Sequence, residues 1–184
     1  MYPLYFSFVL LADILVFTYY VIYVLREFGI PVNLSITYYS FERRRKGTGV
    51  LFPTLMIFLC VTTIPIWIEL SRHASSFGYT FVFFPIITLV CLLLVAASAR
   101  YKKTHGLVYF HYACAILAAV CAVLWIFLVA YKILYVGLSI LIALMLMGIR
   151  TGTLHRCSLF WLETAAFYAI FFSLLIIILF SVNI

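Results

Sequence analysis

Apolar residues are gathered in six long runs, at about residues 3–25, 49–70, 79–99, 107–130, 133–149 and 158–182, and short polar stretches separate them. A helix needs about 20 mainly apolar residues to cross the hydrocarbon core of a bilayer. The pattern therefore predicts an all-α, polytopic membrane protein. We expect residues 1–184 to form a single domain, a bundle of about six transmembrane helices, with little of the chain left for any domain outside the membrane.

Composition supports the same class. Hydrophobic residues make up 68% of the chain and charged residues 9%, and the mean hydropathy is +1.26. Soluble domains carry about 25% charged residues. A water-soluble fold is therefore excluded, because so few charges could not cover its surface.

A polar segment follows the first run. Gly29 and Pro31 are expected to end the first helix, because neither residue continues a helix well. Asn33 is a typical N-cap, so a short interfacial helix is expected to begin there. Tyr38 and Tyr39 would lie within that helix at the level of the lipid headgroups, where tyrosine is enriched.

Basic residues are distributed unevenly between the loops and predict the orientation. The loops after the first, third and fifth runs hold Arg26, Arg43, Arg44, Arg45, Lys46, Arg100, Lys102, Lys103, Arg150 and Arg156, and those after the second and fourth hold only Arg72 and Lys132. Cytoplasmic loops retain Lys and Arg. The first set of loops is therefore predicted to be cytoplasmic, and both termini extracytoplasmic.

The net charge of +7 is thus mainly a signal of topology. Nucleic-acid binding would need a basic face beyond the membrane, and no nucleic-acid partner is predicted. The expected partners are membrane lipids, with anionic headgroups attracted to Arg43, Arg44, Arg45 and Lys46.

Four ionisable residues lie inside the predicted spans, where each costs about 2.5–3.5 kcal/mol on insertion scales unless it finds a partner or a wet cavity. Asp13 is near the middle of the first span, where a proton-coupled or ion-coupled transporter could use it. His111 lies near the start of the fourth span and Glu163 near the start of the sixth. Glu69, at the end of the second span beside Arg72, is expected to form a solvated ion pair.

His111 and Glu163 are expected to lie at the same depth in the membrane. At ~1.5 Å of rise per residue, both would lie about 6–8 Å inside the cytoplasmic boundary, where they could pair and where Ser35, Tyr38 and Tyr39 could cap them. Three interpretations stay open: a structural contact between helices, a ligand-binding pocket, and acid–base or metal chemistry.

The remaining small residues indicate packing. The five cysteines lie within or beside apolar runs without metal-ligand spacing, so we predict packing thiols and neither a metal nor a cofactor. His111, Ala115, Ala118 and Ala122 share one helical stripe, which lets helices approach closely. That stripe would serve either packing inside the bundle or contact with a second copy or a membrane partner protein.

Three short motifs carry a resemblance: Pro31-x-x-x-Ser35-Ile-Thr-Tyr, His111-Tyr112-Ala113, and Glu163 after an aromatic pair. The chain resembles small uncharacterised six-span bacterial proteins and is faintly similar to the DRAM/Frag/Sfk family. The resemblance implies a role in lipid or membrane homeostasis and residence in a bacterial cytoplasmic membrane. The family's segment after helix one is usually luminal, whereas the basic run here favours the cytoplasm.

We therefore expect a non-enzymatic protein that binds a lipid or small amphiphile in a cytoplasm-facing pocket within the bundle, lined by His111, Glu163, Ser35, Tyr38 and Tyr39. No residue is assigned a catalytic role. The alternatives are a membrane-embedded hydrolase of lipid headgroups using the same residues, and a small ion-coupled transporter using Asp13. A zinc hydrolase is disfavoured, because no His-x-x-x-His pair lies in a span.

Overall fold

The structure is a computed structural model that describes residues 4–74, 81–99 and 105–180, and within these ranges it contains helices and no strand. Seven α-helices follow in chain order: α1 Leu4–Phe28, α2 Thr37–Arg44, α3 Leu51–Ala74, α4 Phe83–Ser98, α5 His105–Ala130, α6 Leu134–Arg150 and α7 Leu154–Phe180. One-turn 3₁₀ helices at Leu34–Ile36, Thr48–Val50 and Tyr131–Ile133 lead into α2, α3 and α6.

In the part of the chain that the structure describes, four helical stretches are long and apolar enough to cross a membrane: Leu4–Phe28, Thr48–Arg72, Gly106–Arg150 and Leu154–Phe180. The third is 45 residues long and contains both α5 and α6, and α4 is a shorter apolar helix of 16 residues. By length and composition these helices support the predicted class, a helical bundle that is integral to a membrane.

Most helix bounds lie within a few residues of the predicted runs. α1 continues to Phe28, three residues beyond the prediction, and ends where Gly29 adopts a left-handed backbone with φ of 71°. α7 begins at Leu154, earlier than predicted, with a kink at Cys157. The predicted starts at residues 3 and 79, the predicted end at 182, and the basic residues Arg100, Lys102 and Lys103 lie outside the described residues.

The six long apolar helices pack in the order α6, α7, α1, α3, α4, α5. Small residues allow the closest approaches. A Cβ at Gly148 of α6 would lie 2.9 Å from the Trp161 ring of α7. Between α4 and α5, the Thr88 hydroxyl is 3.3 Å from the Ala118 carbonyl oxygen, so the stripe of alanines predicted on α5 serves packing within the chain.

The two ends of the bundle differ. At one end, which we call the α2 end, the end of α1 and the starts of α3, α5 and α7 meet around α2 and the turn before it. At the opposite end Trp125 of α5 lies against Trp67 of α3, with ring centroids 4.7 Å apart, and donates to the Ser71 hydroxyl oxygen at 2.9 Å. The α2 end holds the residues predicted to form a site.

Candidate functional site

The connection between α1 and α2 includes a tight turn built on Asn33. Its side-chain oxygen accepts the Ile36 N–H at 2.9 Å and the Ser35 hydroxyl at 3.0 Å. Its extended backbone, φ −155° and ψ 166°, starts the 3₁₀ turn Leu34–Ile36. The Thr37 hydroxyl donates to the Leu34 carbonyl oxygen and lies against the Tyr20 hydroxyl of α1. The predicted role of Asn33 as an N-cap is confirmed.

A kink in α7 receives this connection. At Cys157 the backbone leaves helical geometry, with φ −125° and ψ 28°. The Phe160 N–H, which in a regular helix would donate to the carbonyl four residues earlier, donates instead to the Val32 carbonyl oxygen at 3.0 Å. The Cys157 Sγ lies 3.4 Å from the Ile30 carbonyl oxygen. The kink therefore supplies hydrogen-bond donors to the carbonyl oxygens of Ile30 and Val32, which lie between helices and have no helical partner.

Glu163 adds a third link from α7, one turn further along the helix. Its Oε2 accepts the Leu34 N–H at 2.6 Å. This N–H belongs to the first residue of the 3₁₀ turn, where N–H groups point away from the helix and need an external acceptor. Glu163 is half-buried, and it fixes the start of the turn.

His111 holds the same turn from α5. The side chain is 1% exposed, with Nε2 3.0 Å from Ser35 Oγ and Nδ1 2.8 Å from Ser98 Oγ at the end of α4. Because the single Ser35 proton goes to Asn33, Ser35 Oγ accepts from His111, which assigns a proton to Nε2. The Ser98 hydroxyl has two acceptors within reach, Nδ1 of His111 at 2.8 Å and the Val95 carbonyl oxygen at 3.2 Å.

His111 and Glu163 therefore bind adjacent residues of one turn, Ser35 and Leu34. The structure links the two side chains through this turn. Their shared depth makes the arrangement possible, because α5 and α7 both begin at the α2 end.

Tyr38 and Tyr39 lie on α2, just beyond the turn, with their rings edge-on and 5.3 Å apart. Both are half-buried. The Tyr38 carbonyl oxygen faces Gly49 so closely that a Cβ there would lie 2.8 Å away. Tyr38 thus supports the packing of α2 on the start of α3.

Several contributors were not predicted, and they include Ser98, Cys157 and Phe160. Ser98 is a small residue at the end of an apolar run, and nothing local marks it as a partner for His111. One signal was present: α4 ends where α5 begins, so the ends of these two runs should meet. The kink at Cys157 follows a polar stretch, 151–156, that resembles an ordinary loop.

Two cavities differ in size and character. One, of about 30 Å³, lies between α3, α4 and α7 and is lined by apolar groups with the hydroxyls of Thr63 and Thr88. It has room for about one water molecule. The other is an open, shallow and largely polar cleft of about 470 Å³ at the α2 end, lined by Glu27, Phe28, Ser40, Arg43 and Arg44.

Asp13 lies far from the α2 end, and so from both the turn at Asn33 and the open cleft. It is fully buried on α1, and its two carboxyl oxygens are 3.0 and 3.1 Å from the Thr62 hydroxyl oxygen of α3. At ~1.5 Å per residue, it is about 22 Å along α1 from Phe28.

The predicted ion pair of Glu69 with Arg72 is confirmed, at 3.4 Å on the surface.

Within residues 4–74, 81–99 and 105–180, no group of three or more His, Cys, Asp or Glu side chains is placed to hold a metal ion. Comparisons of the chain with protein-family models, with curated proteins and with solved structures find no match. The resemblance to six-span bacterial proteins and to the DRAM/Frag/Sfk family therefore stays a hypothesis.

Proposed function

We propose that this protein is a non-enzymatic membrane protein that binds a lipid at its α2 end. The observation that carries the proposal is the open cleft of about 470 Å³ beside α2, on an element that does not span the membrane. The turn that leads into this element is held by a buried hydrogen bond from α5 and a partly buried one from α7. A fixed, amphipathic, non-spanning element next to such a cleft is suited to contact lipid headgroups.

In this proposal His111 and Glu163 position the lipid site and do not line it. Both ring nitrogens of His111 are engaged by serines, and Oε2 of Glu163 is engaged by a backbone N–H. The pocket within the bundle that the sequence predicts is thereby replaced by a cleft on the outer side of α2. Ser35, like His111 and Glu163, supports the site from beneath α2, and Tyr38 and Tyr39 lie beside it on α2.

We further propose six crossings, with the α2 end in the cytoplasm and both termini on the other side of a bacterial cytoplasmic membrane. Neighbouring helices run in alternate directions: α1, α4 and α6 end at the α2 end, whereas α3, α5 and α7 start there. Alternation is what successive crossings produce. The excess of basic residues in the loops on that side supports the orientation.

A headgroup hydrolase is the second candidate, because two serine hydroxyls lie within hydrogen-bond distance of His111, as in nucleophile–base pairs. Ser35 and Ser98 are only 2% and 5% exposed. A hydrolase would need one of them to open to substrate, whereas the binding proposal needs no such movement.

The test is native mass spectrometry of protein extracted in mild detergent. We expect the unmodified protein to carry a discrete lipid, and His111→Ala and Glu163→Ala to lose most of it while circular dichroism still shows a helical fold. Asp13→Asn serves as a control that keeps the lipid, because Asp13 lies far from the α2 end. Absence of a bound lipid from the unmodified protein would refute the proposal, and retention of the lipid by both α2-end variants would refute the positioning role of His111 and Glu163.

A hydrolase would be revealed in the same samples. Lipid incubated with the protein would be converted to a headgroup and a lipid product, and His111→Phe would abolish the conversion. Unchanged lipid in the presence of the unmodified protein favours the binding function.

A further inference from the structure

We infer that the cleft between α1 and α2 binds the phosphate of an anionic phospholipid headgroup, and that Glu27 competes with this phosphate for Arg44. The inference rests on the proposed lipid-binding function and specifies its ligand. The cleft is lined by Glu27 and Phe28 from the last turn of α1 and by Ser40, Arg43 and Arg44 from α2.

The α2 side of the cleft supplies donors of the right kind. Ser40, Arg43 and Arg44 are spaced three and four residues apart, so their side chains share one face of the helix. Two guanidinium groups and a hydroxyl can donate several hydrogen bonds to one phosphate, and guanidinium matches phosphate oxygens in a bidentate manner. Both arginines are exposed and so are accessible to a headgroup.

The α1 side supplies an internal competitor. The Glu27 carboxylate forms an ion pair with the Arg44 guanidinium, and the two side chains are 29% and 58% exposed. One carboxylate faces two guanidinium groups, so the cleft keeps a net positive charge that an anion can neutralise. A bound phosphate would replace Glu27 on Arg44, and the displaced carboxylate would repel it. Removing the charge of Glu27 should therefore strengthen binding.

An aromatic surface next to the cleft favours a lipid over a free phosphate. Tyr19, Tyr23 and Glu27 follow one another at four-residue spacing and thus share one face of α1. The rings of Tyr19 and Tyr23 stack at 6.4 Å and are 72% and 36% exposed. Tyr23 also stacks on Phe41 of α2 at 5.6 Å. The stripe leads from the span to the cleft, so the glycerol and upper acyl chain of a lipid can lie along it.

The site is also rigid before any ligand arrives. Phe41 packs edge-on against Phe28 at 4.9 Å, and the turn before α2 is fixed by Glu163 and His111. The two arginines are therefore presented on a helix whose position is already set, which reduces the entropy lost on binding.

The experiment titrates the full chain in detergent micelles with phosphatidylglycerol, with zwitterionic phosphatidylcholine and with inorganic phosphate, and measures binding by native mass spectrometry. We expect one tightly bound phosphatidylglycerol, with Arg43→Gln and Arg44→Gln each weakening it by about tenfold or more. Glu27→Gln should tighten it by several-fold. Arg150→Gln removes one charge at the same end of the bundle, outside the cleft, and should change the affinity less than about threefold.

Three results would overturn the inference. Equal weakening by Arg44→Gln and Arg150→Gln would mean diffuse attraction to surface charge. Unchanged or weaker lipid binding in Glu27→Gln would show that Glu27 does not compete with the phosphate for Arg44. Displacement of the phospholipid by inorganic phosphate at equal concentration would make free phosphate the ligand.

Failure of the inference is distinguishable from failure of the proposed function. The unmodified protein can retain a lipid that His111→Ala loses, while Arg43→Gln and Arg44→Gln leave its affinity unchanged. In that case the proposed function survives and this headgroup site does not. If the unmodified protein retains no lipid, the proposed function fails as well.

Discussion

Two of the buried polar groups, around His111 and around Asp13, are connected to the rest of the bundle differently. At the α2 end His111 joins Ser35 and Ser98, and Ser35 in turn joins Asn33. Within α1, by contrast, Asp13 meets the Thr62 hydroxyl. That hydroxyl also lies 2.9 Å from a carbonyl oxygen of its own helix, Phe58, so it has an acceptor without Asp13.

The difference teaches where a buried polar residue is needed by the fold. In a membrane, backbone outside a helix must find partners in the protein. The connection after α1 obtains backbone partners from α7, and His111 of α5 holds the Ser35 side chain of the same turn. Asp13 contacts a side chain of α3, Thr62, whose hydroxyl already has a carbonyl acceptor in its own helix. The α2-end network should therefore matter to stability, and Asp13 should not.

The largest effect is expected for His111→Ala, which removes two hydrogen bonds and leaves a buried cavity. We expect the free energy of unfolding to fall by about 2–4 kcal/mol. Tryptophan fluorescence during unfolding by sodium dodecyl sulfate in mixed micelles would measure it. His111→Phe keeps the volume and should lose only about 1–2 kcal/mol. Equal losses in the two variants would show that the cavity contributes nothing, whereas no loss in His111→Phe would show that packing alone is at stake.

Glu163→Ala should cost about 1–2 kcal/mol, because it leaves the Leu34 N–H without its acceptor. Hydrogen exchange followed by mass spectrometry should show faster exchange in the peptide that covers residues 29–36. Glu163→Gln keeps a side-chain oxygen and should restore most of the protection. Identical exchange in Glu163→Ala and the unmodified protein would contradict the assigned role.

Gly29→Ala tests the point where α1 ends. With φ of 71° and no atom within 4 Å of an added Cβ, the cost is purely conformational and should be about 1 kcal/mol. Gly106→Ala is the matched control, because it also has open space but lies in α5 without a positive φ. A comparable loss in both variants would argue against a strained turn at Gly29.

The smallest effect on stability is expected for Asp13→Asn, below about 1 kcal/mol in the same unfolding assay. A loss above about 2 kcal/mol would overturn the contrast between the two polar groups. The variant also tests the transporter hypothesis, in which it would abolish proton-coupled uptake into vesicles while the fold stays intact. Unchanged uptake would remove that hypothesis.

Local features of this fold could be predicted, and features that depend on the meeting of distant segments could not. Asn33 was identified as a cap because the signal lies within three residues of it. The depths of His111 and Glu163 followed from helical rise. Their partners did not, because Ser98 and Leu34 come from other elements, and the kink at Cys157 exists only where α7 meets the connection after α1.

That kink has a consequence for biogenesis. The backbone groups of Ile30, Val32 and Leu34 find partners on α7, which is synthesised after every other described helix. Until α7 leaves the ribosome and enters the membrane, the connection after α1 cannot close into its final form. The first and last described helices must therefore be inserted before the α2 end is complete, and a chain interrupted ahead of α7 would present open polar backbone to quality-control proteases.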